Sequence, residues 1–152
     1  MTWVGGNTTE ATTTSLTAVD LITVSALSIA GAVPFVAQFS YRKTSGAAAL
    51  VNSGGKVNTT IVIAPATGEI STGSTNQAES GYASLYGEGP ITNYPRSAMS
   101  VAGAFTTQYA TGLDSADMSI ATITDLVSDG LVGNASITLG QDDLHVYTLT
   151  TS

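Results

Sequence analysis

From Ala32 to Arg42 the chain alternates with a period of two. Val33, Phe35, Ala37, Phe39 and Tyr41 fall on one side, and Pro34, Val36, Gln38, Ser40 and Arg42 on the other. Successive residues of a strand point to opposite faces of a sheet, so this pattern predicts a half-buried β-strand. Two of the chain's three Phe residues lie in it, which makes it the natural centre of a core. Pro34 has no backbone N–H to give a sheet, which fits an edge strand or the first position of one.

The flanking segments predict further strands. Leu16–Ala30 fits a buried helix or two strand pieces by periodicity. Its Thr, Val and Ile content and its Ser28-Ile29-Ala30-Gly31 exit favour strands. Ala47–Val51 and Val57–Ile63 read as strands of a hairpin, with Asn52-Ser53-Gly54-Gly55 as its turn. Pro65–Gly68 turns the chain, and Glu69–Ser71 is at most a stub. Thr72–Arg96 is a long irregular section rich in Gly and Pro, through which Tyr82, Tyr86 and Tyr94 are spaced. Loops of that length are usually functional or disordered. Tyr is rigid and half polar and suits contact surfaces. A partner-contact loop, a loop packed on its own domain and a ligand site all fit this section. Ala98–Tyr109 predicts a strand. Asp114 or Ser115 can N-cap a short helix reaching Ser128, with Met118, Ala121, Ile123, Leu126 and Val127 inward. Met118–Thr124 alternates as a strand would, too. Ile137–Leu139, a Gly140–Asp143 turn and Leu144–Leu149 predict a C-terminal hairpin. Gly5–Ser15 has no period. Residues 1–15 read as an N-terminal arm and residues 16–152 as a single β domain. The expected fold is all-β, an antiparallel β-barrel or sandwich with at most one short helix.

Composition narrows the surface. Hydrophobic residues make up 43% of the 152 residues, which suits a globular core, but charged residues only 10%, against about 25% in typical soluble domains. The polar surface is therefore built mainly from Ser, Thr, Asn, Gln and Gly. Such a surface is cheaper to desolvate than one of Lys and Glu, as befits a chain that lives in contact with neighbours. Arg42, Lys43, Lys56 and Arg96 are the only four cations, and the net charge is −7. That balance argues against nucleic acid and against anionic membranes as partners. It serves solubility first, with calcium binding or life at high salt as other uses. The most apolar window, Leu16–Val33, is interrupted by Thr17, Asp20, Thr23, Ser25 and Ser28 and does not read as a membrane span. Met1–Gly6 has neither the basic nor the apolar region of a signal peptide.

Candidate chemistry is sparse. With no Cys, disulfides, thiolate metal sites and a cysteine nucleophile are excluded. The one His, His145, stands beside Asp142 and Asp143, but no Gly-x-Ser-x-Gly elbow accompanies it, and a solvent-facing strand position explains it. Glu79 and Glu88 lie among the tyrosines and are the pair a glycoside hydrolase would use, though spacing alone says nothing of their geometry. Asp114-Ser115-Ala116-Asp117 and Asp142-Asp143 offer oxygens, but neither follows the calcium-loop pattern, and turn formation explains both. No catalytic residue, metal ligand or cofactor site is assigned.

A Thr/Ser/Ala/Gly-rich, Lys-poor, Cys-free chain with an extended arm and a Tyr-rich loop resembles tailed-phage head decoration proteins in style across its whole length. The resemblance implies a viral structural protein without catalysis: a small trimeric capsid decoration or cement subunit in a virion assembled in the host cytoplasm. Its partners would be other copies, the major capsid protein and other virion subunits. Partner contacts would fall on Trp3, the only Trp, and on Tyr82, Tyr86 and Tyr94, since exposed aromatics anchor interfaces. The alternative is a secreted carbohydrate-binding or adhesion module. A small hydrolase using Glu79 or Glu88 is the third reading.

Overall fold

The computed structural model describes residues 1–63, 70–71, 76–87, 96–101, 108–109 and 120–149. The strands are β1 (Thr2–Asn7), β2 (Ala11–Thr13), β3 (Val19–Val24), β4 (Ile29–Ala30), β5 (Phe35–Lys43), β6 (Val51–Val57) and β7 (Thr60–Ile63). There follow β8 (Ile70–Ser71), β9 (Glu79–Gly87), β10 (Arg96–Val101), β11 (Gln108–Tyr109), β12 (Thr122–Ile123), β13 (Leu126–Val132) and β14 (Leu139–Thr148). Among the described residues there is no helix. The larger sheet runs β1-β14-β5-β9-β10-β11, with β2 also paired to β14. The second runs β3-β13-β6-β7 with β8 against β6, and β12 pairs with β4. All pairings are antiparallel.

The two larger sheets share one core. Ile22 and Val24 of β3, Val51 and Val57 of β6 and Leu126 and Val132 of β13 join Phe35, Phe39 and Tyr41 of β5 and Leu144 and Val146 of β14. The architecture is an all-β sandwich, its sheets open at their edges instead of closed into a barrel. Gln141 of β14 ties the layers together. Its amide donates to Ser53 Oγ and to the Asp129 carbonyl, both at 3.0 Å.

The strand predicted at Ala32–Arg42 is β5. Phe35, Ala37, Phe39 and Tyr41 are all buried. It lies between β14 and β9, not at an edge. Pro34 stands just before its first residue, and its carbonyl accepts the Leu149 N–H at 2.8 Å.

Several predictions need correction. The Asn52–Gly55 turn is the middle of β6, and all four residues are buried. The hairpin instead turns at Asn58-Thr59, where Asn58 adopts φ 53°, a backbone state Asn tolerates well. The irregular section from Thr72 contains β9, nine residues long, in the heart of the larger sheet. The predicted Ala98–Tyr109 strand is two strands paired with each other, Ala98 opposite Tyr109. The helix predicted to Ser128 is not formed over residues 120–128, where β12 and the start of β13 lie; its N-terminal part is outside the described residues.

The C-terminal hairpin is likewise a single strand. Where a Gly140–Asp143 turn was predicted, β14 carries a bulge: its register with β5 shifts between Asp142 and His145, and Asp143 has φ 55°. One extra residue on β14 puts Leu144 back in the core. Residues 1–15, read as an arm, lie as β1 and β2 along β14, with Thr2 opposite Thr148 and Thr13 opposite Leu139.

Candidate functional site: the outward face of the larger sheet

Residues out of phase with the core form the outward face of the larger sheet, and the strand register sorts them into rows. In the first row Trp3 stands opposite Tyr147, Tyr147 opposite Val36, and Val36 opposite the register position of Tyr86. In the second, Gly6 stands opposite His145, His145 opposite Gln38, and Gln38 opposite Ser84. The third holds Asp142, Ser40 and Tyr82, and the fourth Gly140, Arg42 and Ser80.

The two most exposed aromatics lie on opposite sides of this array. Trp3 is 60% and Tyr82 67% exposed. Trp3 is in the first row on the edge strand, and Tyr82 is three strands across and two rows along. At the usual strand and residue spacings they stand roughly 20 Å apart. Between them lie the exposed Gln38 and the half-buried Ser40, His145 and Tyr147, while Ser84 and Val36 are buried. Gln38 Nε2 donates to Ser84 Oγ at 3.3 Å. Val36, the aliphatic residue of the field, is buried, so it offers a partner little apolar area.

The lower corner is charged. Arg42 Nη1 donates to Asp142 Oδ2 at 3.4 Å, its Nη2 donates to Glu10, and Ser40 Oγ donates to Asp142. The hydrogen bond to Glu10 is the main cause that raises the Arg42 pKa further. A recess of about 180 Å³ opens here, lined by Ser40, Tyr41, Arg42, Ser80, Gly81, Tyr82 and Asp142.

His145 is half-buried, and its Nδ1 has no hydrogen-bond partner. Its ring lies over Gly6, where an added side chain would come within 2.8 Å of Nδ1. Glu79 points inward from β9 and pairs with the buried Lys43 at 3.6 Å, away from the outward face. Among the described residues no group of three or more His, Cys, Asp or Glu could hold a metal ion. Glu88, Tyr94, Asp114 and Asp117 lie outside the described residues.

Of the four aromatics singled out in the sequence, the structure brings Trp3 and Tyr82 to one face and sets Tyr86 in its register. The sequence reading missed Tyr147, Gln38 and the Glu10–Arg42–Asp142 group. A signal existed for Tyr147: in Leu144-His145-Val146-Tyr147, His145 and Tyr147 alternate with core residues.

No family model matches the chain, and no curated protein does. Solved structures similar to it include the following three. An alginate lyase Aly36B mutant in complex with alginate tetrasaccharide is 11% identical, with a TM-score of 0.39 over 95% of this chain and 82% of that one. A structure described as "CBM4 structure and function" is 14% identical, with a TM-score of 0.34 over 97% of this chain and 94% of that one. The binding domain of Paraclostridial Mosquitocidal Protein 1 is 10% identical, with a TM-score of 0.37 over 98% of this chain and 49% of that one. Likenesses this low do not bear on what this chain binds.

Proposed function

We propose that this domain is a non-catalytic carbohydrate-binding module whose ligand lies across the outward face of the larger sheet. One observation carries the reading: exposed Trp3 and Tyr82 flank the polar side chains of Gln38, Ser40, His145 and Tyr147 on a continuous sheet. The C–H face of a sugar ring is apolar and stacks on an aromatic face, while its hydroxyls need donors and acceptors beside it. A face of this composition supplies both. A protein interface of the same extent usually centres on a closely packed apolar cluster, whereas Val36, the aliphatic residue of these rows, is already covered here. A span of roughly 20 Å suits a chain of several sugar rings better than a single ring. The test is retardation in gels containing neutral polysaccharides. The parent protein should be retarded by at least one of them. Trp3→Ala and Tyr82→Ala should each lose most of that retardation with an unchanged circular dichroism spectrum. Equal retardation of parent and both variants overturns the reading.

A second reading, the capsid decoration or cement subunit, is favoured by a different observation. Among the described residues nothing pairs with the outer edge of β1, and β1 carries no charged side chain. A free, uncharged edge is a template for pairing with another chain. On this reading the chain forms a trimer on a virion shell, with Trp3 and the tyrosines in contact with neighbouring subunits. Sedimentation equilibrium over a range of concentrations, followed by addition to empty capsids, decides it. A stable trimer that saturates the shell supports it, and a monomer that does not bind capsids overturns it.

A further inference from the structure

We infer that the Arg42 corner of the outward face is a subsite for neutral sugars carrying adjacent free hydroxyls, and that it discriminates against uronates. The inference rests on the carbohydrate-binding reading and names the ligand class within it.

Arg42 carries the corner's one positive charge, between the carboxylates of Glu10 and Asp142. The local sum is one negative charge, on a chain whose net charge is −7. A guanidinium has five N–H donors in a rigid fork, and two carboxylates do not exhaust them. The Arg42 side chain remains 47% exposed and that of Glu10 42%, so donors and acceptors face solvent side by side. Two neighbouring sugar hydroxyls match that arrangement: one accepts from the guanidinium while the other donates to a carboxylate. Charge-assisted bonds of this kind are the stronger ones. Tyr82 stands directly across from Ser40 in the adjoining row and offers a ring face next to this corner.

Gly140, which pairs with Arg42 across the strands, leaves room for the arrangement. A side chain there would come within 3.2 Å of both Arg42 Cγ and Glu10 Oε1. With glycine at that position, Glu10 can reach over β14 to Arg42. The same two carboxylates that hold the guanidinium would face the carboxylate of a uronate, and like charges at short range disfavour its ionised form. An Arg that was free would favour uronates; an Arg held by two acids does not.

The test is calorimetric titration at low salt, with neutral glucan, xylan and mannan oligosaccharides set against galacturonate and alginate oligosaccharides of matching length. A bound neutral oligosaccharide should bind at least tenfold more tightly than any uronate oligomer. Adding salt should narrow the gap by screening. Glu10→Gln with Asp142→Asn should raise uronate affinity several-fold, and Arg42→Ala should weaken the neutral ligand about tenfold. Glu10→Gln alone, a mild change at an exposed site, checks the trend should the double variant fail to fold. Uronates bound as tightly as neutral glycans, or an Arg42→Ala variant that binds as the parent does, would overturn the subsite while leaving the carbohydrate-binding reading standing. Absence of binding to every oligosaccharide overturns both.

Discussion

Asp129 is the residue whose position the sequence least announces. Beside Gly130 it looks like punctuation between elements. Yet it lies in β13, opposite Asp20 of β3, and is 2% exposed. Its Oδ1 has no hydrogen-bond partner. Burial pushes its pKa from 3.8 up to about 6; nearby Lys56 pulls the other way and Asp20 adds to the rise. Well below pH 4 the carboxyl is neutral in folded and unfolded chains and has no effect on stability. As pH rises from about 4 to about 6, the unfolded chain releases this proton first. Asp129 therefore lowers stability progressively across that window, by up to ~3 kcal/mol once both states are ionised. Asp129→Asn should remove this loss. Urea denaturation at pH 4, 5, 6 and 7 should show the variant gaining on the parent as pH rises to about 6 and holding that gain above it. Parallel profiles would contradict the account.

The strands that could be read from the sequence are those with bulky inward residues. β5, with Phe35, Phe39 and Tyr41, announces itself. β9 does not, because its inward Gly81 and Ala83 are small, and the bulk at that level comes from Tyr41 and Phe39 opposite them. β6 hides for the same reason, with Asn52, Ser53, Gly54 and Gly55 buried where a turn is the obvious reading. In both strands the alternation belongs to the pair of strands, and one strand alone shows half of it. Asp142-Asp143 hides the continuity of β14, since an Asp with positive φ looks the same in a bulge and in a turn. The glycines of these strands carry packing duties that can be tested. A Cβ on Gly130 would lie 2.3 Å from Leu139 Cδ2 and 2.9 Å from the Asn52 carbonyl oxygen. The backbone oxygen cannot move aside as a side chain can. Gly130→Ala should therefore cost about 1–3 kcal/mol, read as a lower urea midpoint with an unchanged slope. An unaltered midpoint would show that the two sheets are less closely packed here than described.

At the scale of the whole molecule, composition foretold the character of the surface better than the layout of the chain. Few charges and many hydroxyls implied a face that sheds water cheaply, and the outward face of the larger sheet has that make-up. Its assembly from β1, β14, β5 and β9 was beyond the sequence, because Trp3 and Tyr147 are 144 positions apart and meet only through the register. A glycan lying across this face, as proposed, would cover Trp3. Trp3 is the only Trp in the chain and stands on the face itself, so its fluorescence tests the proposal directly. Emission should be followed while neutral oligosaccharides are titrated in. A bound glycan should produce a saturable change, a blue shift as the indole is covered, with a midpoint matching the affinity measured by calorimetry. Calorimetric binding without any change in Trp3 emission would place the ligand elsewhere and contradict the proposal.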